Sequence, residues 1–299
     1  MNHNKLLTLL AILTVLTFSS CLRDLDLESN LSEAQLVVIA ELEEGVQPIL
    51  RVSTTFPVNS SPEEFDVDFA EVTITDSKTN FEDRQEFRPI FGTDMFDIPS
   101  DLIPEQGVSY SLNVEVEELE IPSLSGETLM PERGSIELVN SISVTADTDR
   151  FTELAVSLNL GELPDPESYY HLIPFVIDNN GTSIFPEIDG VQLGANASTV
   201  LRHRHGMLID INALGEANTI NFNLRSLLPL DIDNLNDKNL YFKLNTVAEE
   251  YFLYHTSISR QFESQTSIFT LPAISYTQFE NGFGIFTAFS TETTKFAIR

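Results

Sequence analysis

The sequence is poor in the residues that most often carry disulfide, metal or nucleic-acid chemistry. It has one cysteine in 299 residues and no tryptophan, so the stability of the fold must come from packing and sheet hydrogen bonds rather than from disulfides. Lysine and arginine number 16 against 46 aspartates and glutamates, which gives a net charge of −30. Such an acidic chain is unsuited to binding nucleic acid or to adsorbing on anionic lipid headgroups.

Catalytic and cofactor-binding motifs are also missing. The sequence contains no HExxH zinc motif, no EF-hand loop, no GxSxG nucleophile elbow, no P-loop and no glycine-rich dinucleotide motif. Carboxylates are so frequent that no glycosidase-like pair stands out. We therefore predict a non-catalytic protein without a cofactor.

The first 20 residues have the layout of a secretory signal peptide. Lys5 gives the start its positive charge, residues 6–18 are apolar, and Ser19 and Ser20 are small. An apolar helix of this length spans ~20 Å, short of the ~30 Å hydrocarbon core of a bilayer. The segment therefore predicts a cleaved signal over residues 1–20 rather than a membrane span.

Cys21 follows the small residues and resembles the lipobox cysteine of bacterial lipoproteins. The resemblance implies cleavage before Cys21, diacylation of its thiol, and anchoring in the outer membrane on the periplasmic or cell-surface face. The alternative is an ordinary signal followed by an incidental cysteine. Residues 21–34 then form a tether, whose acids Asp24, Asp26 and Glu28 resemble the surface-export signal of Bacteroidota lipoproteins. A plain polar spacer is the other interpretation.

Residues 35–131 predict a first domain, an immunoglobulin-like β-sandwich. Residues 108–116 alternate apolar and polar side chains without interruption, as in a strand with one buried and one solvated face. Several short strands separated by turn signals favour a sandwich. The other strand patterns of this half cover residues 35–42, 49–55 and 67–75. A loop-like stretch over residues 122–134 predicts the domain boundary.

Residues 132–299 predict a second β-sandwich with one short helix, so the predicted fold class is all-β with two sandwich domains. Pro174 lies within one strand pattern and predicts an edge or a bulge there. Val247–Ser259 places apolar residues at spacings of four, three and four, which predicts a helix, with a strand as the alternative. The strand patterns of this half cover residues 136–144, 151–160, 169–178, 208–211, 219–224 and 240–246.

Two polar clusters are weak candidates for a metal site. His203 and His205 would share one face of a strand and could chelate a metal, with His171, His255 or Asp210 as a third ligand. Asp231 and Asp233 begin an oxygen-rich segment that would suit Ca²⁺. A solvated turn explains the histidines and a polar loop explains the aspartates, and we favour these structural interpretations.

Separated blocks of the sequence resemble one family, the Bacteroidota lipoproteins described as domain of unknown function 4249. The blocks are a lipoprotein cysteine with an acidic segment and a first strand, a threonine-containing element between the halves, and a C-terminal signature. In order, they are Cys21, Asp24, Asp26 and Leu36-Val37-Val38; Glu127-Thr128-Leu129-Met130-Pro131; and Tyr251, Tyr254, Leu271-Pro272 and Asn281-Gly282-Phe283-Gly284-Ile285-Phe286.

The resemblance implies partnership with TonB-dependent outer-membrane transporters. We therefore expect a non-catalytic accessory protein, or a component that binds a ligand or partner, in such an uptake system. A surface hydrolase acting on a glycan or peptide is the first alternative, and clustering of His203, His205 and a carboxylate around a cleft would favour it. A structural or adhesive surface module is the second.

Overall fold

The computed structural model describes residues 34–55, 67, 70–78, 82–87, 95–97, 102–116, 121–147, 151–161, 169–177, 181–192, 201–203, 205–211, 219–226, 239–265 and 275–297. In chain order the strands are β1 Leu36–Glu43, β2 Ile49–Thr54, β3 Ala70–Asp76, β4 Glu82–Phe87, β5 Met95–Asp97, β6 Ser109–Glu115, β7 Leu124–Leu129, β8 Ile136–Asp147, β9 Thr152–Leu160, β10 Tyr169–Ile177, β11 Ser183–Ile184, β12 Glu187–Gln192, β13 Leu201–His203, β14 Gly206–Asp210, β15 Thr219–Ser226, β16 Asn239–Val247 and β17 Phe283–Ala297. The helix α1 spans Glu249–Gln265. In the part of the chain that the structure describes, the prediction of an all-β fold with one helix is confirmed.

A nine-stranded sheet runs through both halves of the chain. Its order is β13-β14-β10-β16-β17-β1-β2-β5, with β11 pairing β10 outside this path. Strand β17 makes the connection, because its first half pairs in parallel with β1 and its second half pairs antiparallel with β16. The change from parallel to antiparallel pairing occurs at Phe289, which pairs with Glu43 of β1 on one side and with Val247 of β16 on the other. The first and last strands of the described chain are therefore neighbours.

The first sandwich packs a four-stranded sheet, β4-β3-β6-β7, on the β1, β2 and β17 part of the shared sheet. Burial alternates strictly along β1, β3 and β6, so each strand sends every second side chain into the core. Phe279, Phe286 and Ala288 from the C-terminal region complete this core. The first sandwich is therefore not built from residues 35–131 alone.

The second sandwich packs the sheet β12-β15-β9-β8 on the part of the shared sheet that contains β10, β14 and β16. In β9 the burial again alternates, with Leu154, Val156 and Leu158 inside. The predicted boundary between residues 131 and 132 lies in the segment that connects the two sandwiches, after β7 and before β8. The two sandwiches nevertheless share one sheet across this boundary.

Helix α1 covers the opposite face of the shared sheet where the two sandwiches meet. Tyr251 packs with Leu208, Val247 and Phe289 in a separate small apolar cluster. The acidic Glu249–Glu250 pair in the first turn matches the positive end of the helix dipole. The predicted helix is confirmed, but it begins two residues later and extends six residues further than 247–259, because Val247 still pairs with Phe289 in the sheet. Among the described residues, no helix has the length and apolarity needed to cross a bilayer.

Two local predictions need correction. The stretch 122–134 contains strand β7, which pairs with β6 along its length. Its polar residues and Gly126 resemble a loop because only Leu124 and Thr128 of this end strand are buried. Pro174 lies in a strand that has neighbours on both sides, but β14 pairs only up to Leu172 and β11 pairs from Val176. The proline therefore sits in a gap of the ladder, where a missing N–H is tolerated.

Candidate functional site: a groove beside the helix

The alternation of β1 separates its apolar side chains from its charged ones. Leu36, Val38, Ala40 and Leu42 enter the core, so Ile39, Glu41 and Glu43 must lie on the face that carries α1. On β2 the same face holds Ile49 and Arg51, which pair with Glu41 and Ile39 respectively. Two adjacent strands thus present two carboxylates, a guanidinium and two isoleucines on one surface.

These side chains line a groove of about 340 Å³ next to α1, the helix-side groove. Its apolar surface includes Val46 and Ile49, which remain 46% and 49% exposed. A volume in this range with an apolar floor and a few converging polar groups is typical of small-ligand sites, which run from roughly 300 to 1,000 Å³. The lining consists of Ile39, Glu41, Glu43, Val46, Gln47, Ile49, Arg51 and Phe289.

Glu43 is held in place from the neighbouring strands. Lys243 Nζ lies 3.0 Å from Glu43 Oε1, and Thr291 Oγ1 donates to the same oxygen at 3.2 Å. Lys243 Nζ also lies 5.8 Å from the ring centroid of Phe289, within cation–π range. Beside the groove, one ammonium group therefore lies over the Phe289 ring and against the Glu43 carboxylate.

Glu41 connects the groove to α1. His255 Nε2 lies 3.0 Å from Glu41 Oε1, and the histidine ring packs between Tyr251 and Tyr254, with ring centroids 4.2 and 5.3 Å away. Because Glu41 is on β1 and His255 is on the helix, this bond fixes α1 beside the groove.

Tyr251 and Tyr254, which contact His255 next to its bond to Glu41, stay in the neutral form. Burial raises the pKa of Tyr251 far above its ordinary value, and the negative charges of Glu41 and Glu43 add to the effect. Burial also raises the pKa of Tyr254, with a further contribution from Glu41 that Arg51 opposes. The hydroxyl of Tyr251 lies 2.9 Å from His171 Nδ1. Both phenols therefore stay un-ionised, and that of Tyr251 hydrogen-bonds to His171.

A second, wider groove of about 920 Å³ crosses the outer face of β3, β6 and β7. Ser125 Oγ donates to Asn113 Oδ1 at 2.9 Å, and Thr75 and Ser111 share a bond of 2.8 Å. These polar side chains hydrogen-bond to one another, and the charged members of the lining are the carboxylates of Glu127 and Glu280. The lining consists of Thr73, Thr75, Ser111, Leu112, Asn113, Ser123, Leu124, Ser125, Gly126, Glu127, Gln278, Phe279, Glu280 and Asn281.

The structure does not bring the predicted metal candidates together. His203 ends β13, and His205 in the following turn packs on Phe185, with ring centroids 4.6 Å apart. Of the possible third ligands, His171 and His255 contact the tyrosine and glutamate described above, while Asp210 lies at the end of β14. Within the described ranges, no group of three histidine, cysteine or carboxylate side chains is arranged to hold a metal ion.

Cys21, Asp231 and Asp233 lie outside the described residues. Their predicted roles, lipidation for the cysteine and Ca²⁺ binding for the aspartates, stay predictions.

Sequence reasoning missed the residues of the helix-side groove. The only local signal was the occurrence of Glu41 and Arg51 in otherwise apolar strand patterns. Such charges indicate the face of a strand that is turned away from its core. They do not reveal that a helix more than 200 residues away will pack beside them.

A family model described as "Domain of unknown function (DUF4249)" matches residues 23–295. No curated protein is significantly similar to this chain. Among solved structures, the chain is similar to the crystal structure of the chicken CNTN1 FN1-FN3 domains, at 10% sequence identity and a TM-score of 0.28. The match covers 87% of this chain and 66% of that one. So distant a likeness carries no argument, and the description of the fold rests on the strands of this chain.

Proposed function

Starting from the fact that the chain belongs to the family described as domain of unknown function DUF4249, we propose that it is a lipid-anchored outer-membrane protein of a Bacteroidota bacterium. In this proposal it serves a TonB-dependent nutrient uptake system by binding a small ligand without transforming it. Its partners are the membrane, through the lipid on Cys21, and the transporter. Nucleic acid is not a partner.

The helix-side groove is the observation that carries the binding function. Its apolar floor and its converging charges are the properties of a site that holds a ligand in one orientation. Glu43 is fixed by Lys243 and Thr291, and Glu41 is fixed by His255. Because the charged groups are positioned before a ligand arrives, less conformational entropy is lost on binding.

The transporter partnership is tested by co-purification. The tagged protein is extracted in detergent from outer membranes of its own host, and the proteins retained with it are identified by mass spectrometry. We expect a β-barrel transporter to be enriched over a mock purification from cells without the tag. If no such transporter is retained under mild extraction, the proposed partnership is wrong.

The lipid anchor is tested by Cys21→Ser, which should move the protein from the membrane fraction to the soluble fraction. A matched control carries Cys21→Ser together with Ser29→Cys, which keeps one thiol but places it outside the signal context. We expect the control to be soluble and unlabelled by a fatty-acid analogue, like the single variant. Continued membrane association of Cys21→Ser would disprove the anchor.

A further inference from the structure

We propose, on the basis of the binding function proposed above, that the helix-side groove binds a short peptide in its zwitterionic form. The ammonium group of the peptide lies against Glu41 and Glu43, its carboxylate lies against Arg51, and an apolar side chain covers Val46 and Ile49.

The balance of charge in the groove favours a ligand that carries both signs. The carboxylates of Glu41 and Glu43 and the guanidinium of Arg51 line the groove, and the ammonium of Lys243 lies beside it, paired with Glu43. A ligand with a net charge of either sign would upset this balance, whereas a zwitterion preserves it. When Lys243 is counted together with the lining residues, carboxylates and cations are equal in number at this groove.

The arrangement of the charges gives the ligand a direction. Arg51 pairs with Ile39 and Glu41 pairs with Ile49, so Glu41 and Arg51 are diagonal neighbours on one face. Diagonal neighbours in an antiparallel pair have Cα atoms roughly 7–8 Å apart. From Cα atoms this far apart, the side chains of Glu41 and Arg51 can reach the ammonium and the carboxylate at the two ends of a short peptide.

Both glutamates have hydrogen-bonding capacity left for an ammonium group. In the described part of the chain, the side-chain bonds of Glu41 and Glu43 are all made by Oε1, and an ionised carboxylate has two acceptor oxygens. Lys243 already provides the pattern within the molecule, with its ammonium on Glu43 and over Phe289. The ammonium of the peptide would use the same surface from the open side.

The apolar part of the groove accounts for the side chain of the ligand. Val46 and Ile49 lie next to the charged groups and are about half exposed. A leucine-sized side chain would cover them and remove apolar surface from water, which favours binding. A volume of about 340 Å³ is at the lower end of the range for ligand sites, which indicates one or two residues rather than a long peptide.

Isothermal titration calorimetry on the detergent-solubilised full chain tests this proposal. The probes are the dipeptide Leu-Leu, its N-acetyl form without the ammonium, its amide form without the carboxylate, 1,6-diaminohexane and maltose. We expect saturable binding of Leu-Leu, with each blocked form weaker by about tenfold or more, because each loses a charge-assisted hydrogen bond. We expect no saturable binding of the diamine or the sugar.

Variants assign each end of the peptide to its residue. Glu41→Gln should narrow the difference in affinity between Leu-Leu and its N-acetyl form, with Glu43 providing what remains, and Arg51→Gln should bring the affinities of Leu-Leu and its amide together. Both exposed controls, Glu132→Gln and Arg260→Gln, should keep the discrimination of the wild type. Circular dichroism melts show that each variant is folded before titration.

Three results would overturn the proposal: equal binding of free and blocked dipeptides, tighter binding of the diamine than of the dipeptide, or no dipeptide binding to the folded wild type. If a transporter co-purifies while no dipeptide binds, the ligand class is wrong and the transporter partnership stands. If dipeptides bind while no transporter is retained, the partnership is wrong and the ligand class stands.

Discussion

Gly284 of β17 and Val38 of β1 face each other in the parallel ladder that joins the end of the chain to its beginning. Gly284 has a φ of +105°, and a Cβ atom placed there would overlap the carbonyl oxygen of Val38. Val38 is fully buried in the core of the first sandwich, so its backbone cannot move away from a side chain at position 284 without disturbing that core. The contact therefore allows only glycine at position 284.

Replacing Gly284 by alanine should destabilise the protein strongly. A positive φ costs a residue with a side chain about 1–3 kcal/mol, and the overlap with Val38 adds to this cost. Gly45 is a matched control, since its φ is +71° but nothing lies within 4 Å of a Cβ there. Urea unfolding should show a much smaller loss for Gly45→Ala than for Gly284→Ala. Equal losses would mean that backbone strain alone, and not the close approach to Val38, requires the glycine.

Gln278 links β7 to β17 in the first sandwich through its side-chain amide. Its Nε2 donates to the carbonyl of Glu127 on β7 at 2.7 Å, and its Oε1 accepts from the backbone N–H of Phe286 on β17 at 2.8 Å. Gln278→Ala should lower the free energy of unfolding by about 1–3 kcal/mol, because the Phe286 N–H loses its acceptor. Gln106→Ala, which removes an exposed bond to Glu44, should cost less than about 1 kcal/mol. Chemical denaturation compares the unfolding free energies of the two variants, and equal losses would contradict a role for Gln278 in linking β7 to β17.

The sequence was sufficient to predict the strands that have one buried and one open face. In β1, β6 and β9 the apolar residues recur at every second position, and the burial follows this pattern. The helix was predictable for a similar reason, since one stripe of α1 includes Tyr251, which packs on the sheet. Strand β7 was not predictable, because an end strand with two buried residues has the composition of a loop.

Long-range pairing could not be read from local patterns. The pairing of β1 with β17 joins residues about 245 positions apart, and nothing in the apolar alternation of either strand identifies its partner. The helix-side groove depends on this pairing, since Phe289 and Thr291 of β17 bring the C-terminal half next to Glu43. The candidate site therefore depends on which strands pair with one another. The sequence alone indicated only which of its residues face away from the core.

Tyr251 should make the protein less stable at alkaline pH. Its folded-state pKa is raised above the ordinary value of about 10 by burial and by the nearby glutamates. Above pH 10 the unfolded chain releases this proton while the folded protein keeps it, so stability falls as pH rises, by up to ~1.4 kcal/mol per pH unit. Tyr251→Phe should reduce the slope of unfolding free energy against pH between pH 9 and 11. The control Tyr241→Phe, at a tyrosine outside this cluster, tests whether loss of a phenol elsewhere has the same effect.

A slope that is the same in Tyr251→Phe and in the wild type would contradict the burial of an un-ionised phenol at this position. A constant offset at all pH values is expected for Tyr251→Phe, because the bond to His171 is lost, and the slope separates this effect from titration.

Residues 35–131 should not fold as an independent domain. Without β17, strand β1 loses its parallel partner along Val37–Glu43, and the core loses Phe286 and Ala288. Loss of a buried phenylalanine alone costs about 3–5 kcal/mol, a large part of the ordinary stability of a domain of this size. We expect the isolated segment to show no cooperative thermal transition by circular dichroism, and a peptide covering residues 275–297 added in trans to restore one. A peptide of the same length carrying Phe286→Ala should restore it poorly. A sharp transition of residues 35–131 alone would show that the first sandwich does not need the C-terminal strand.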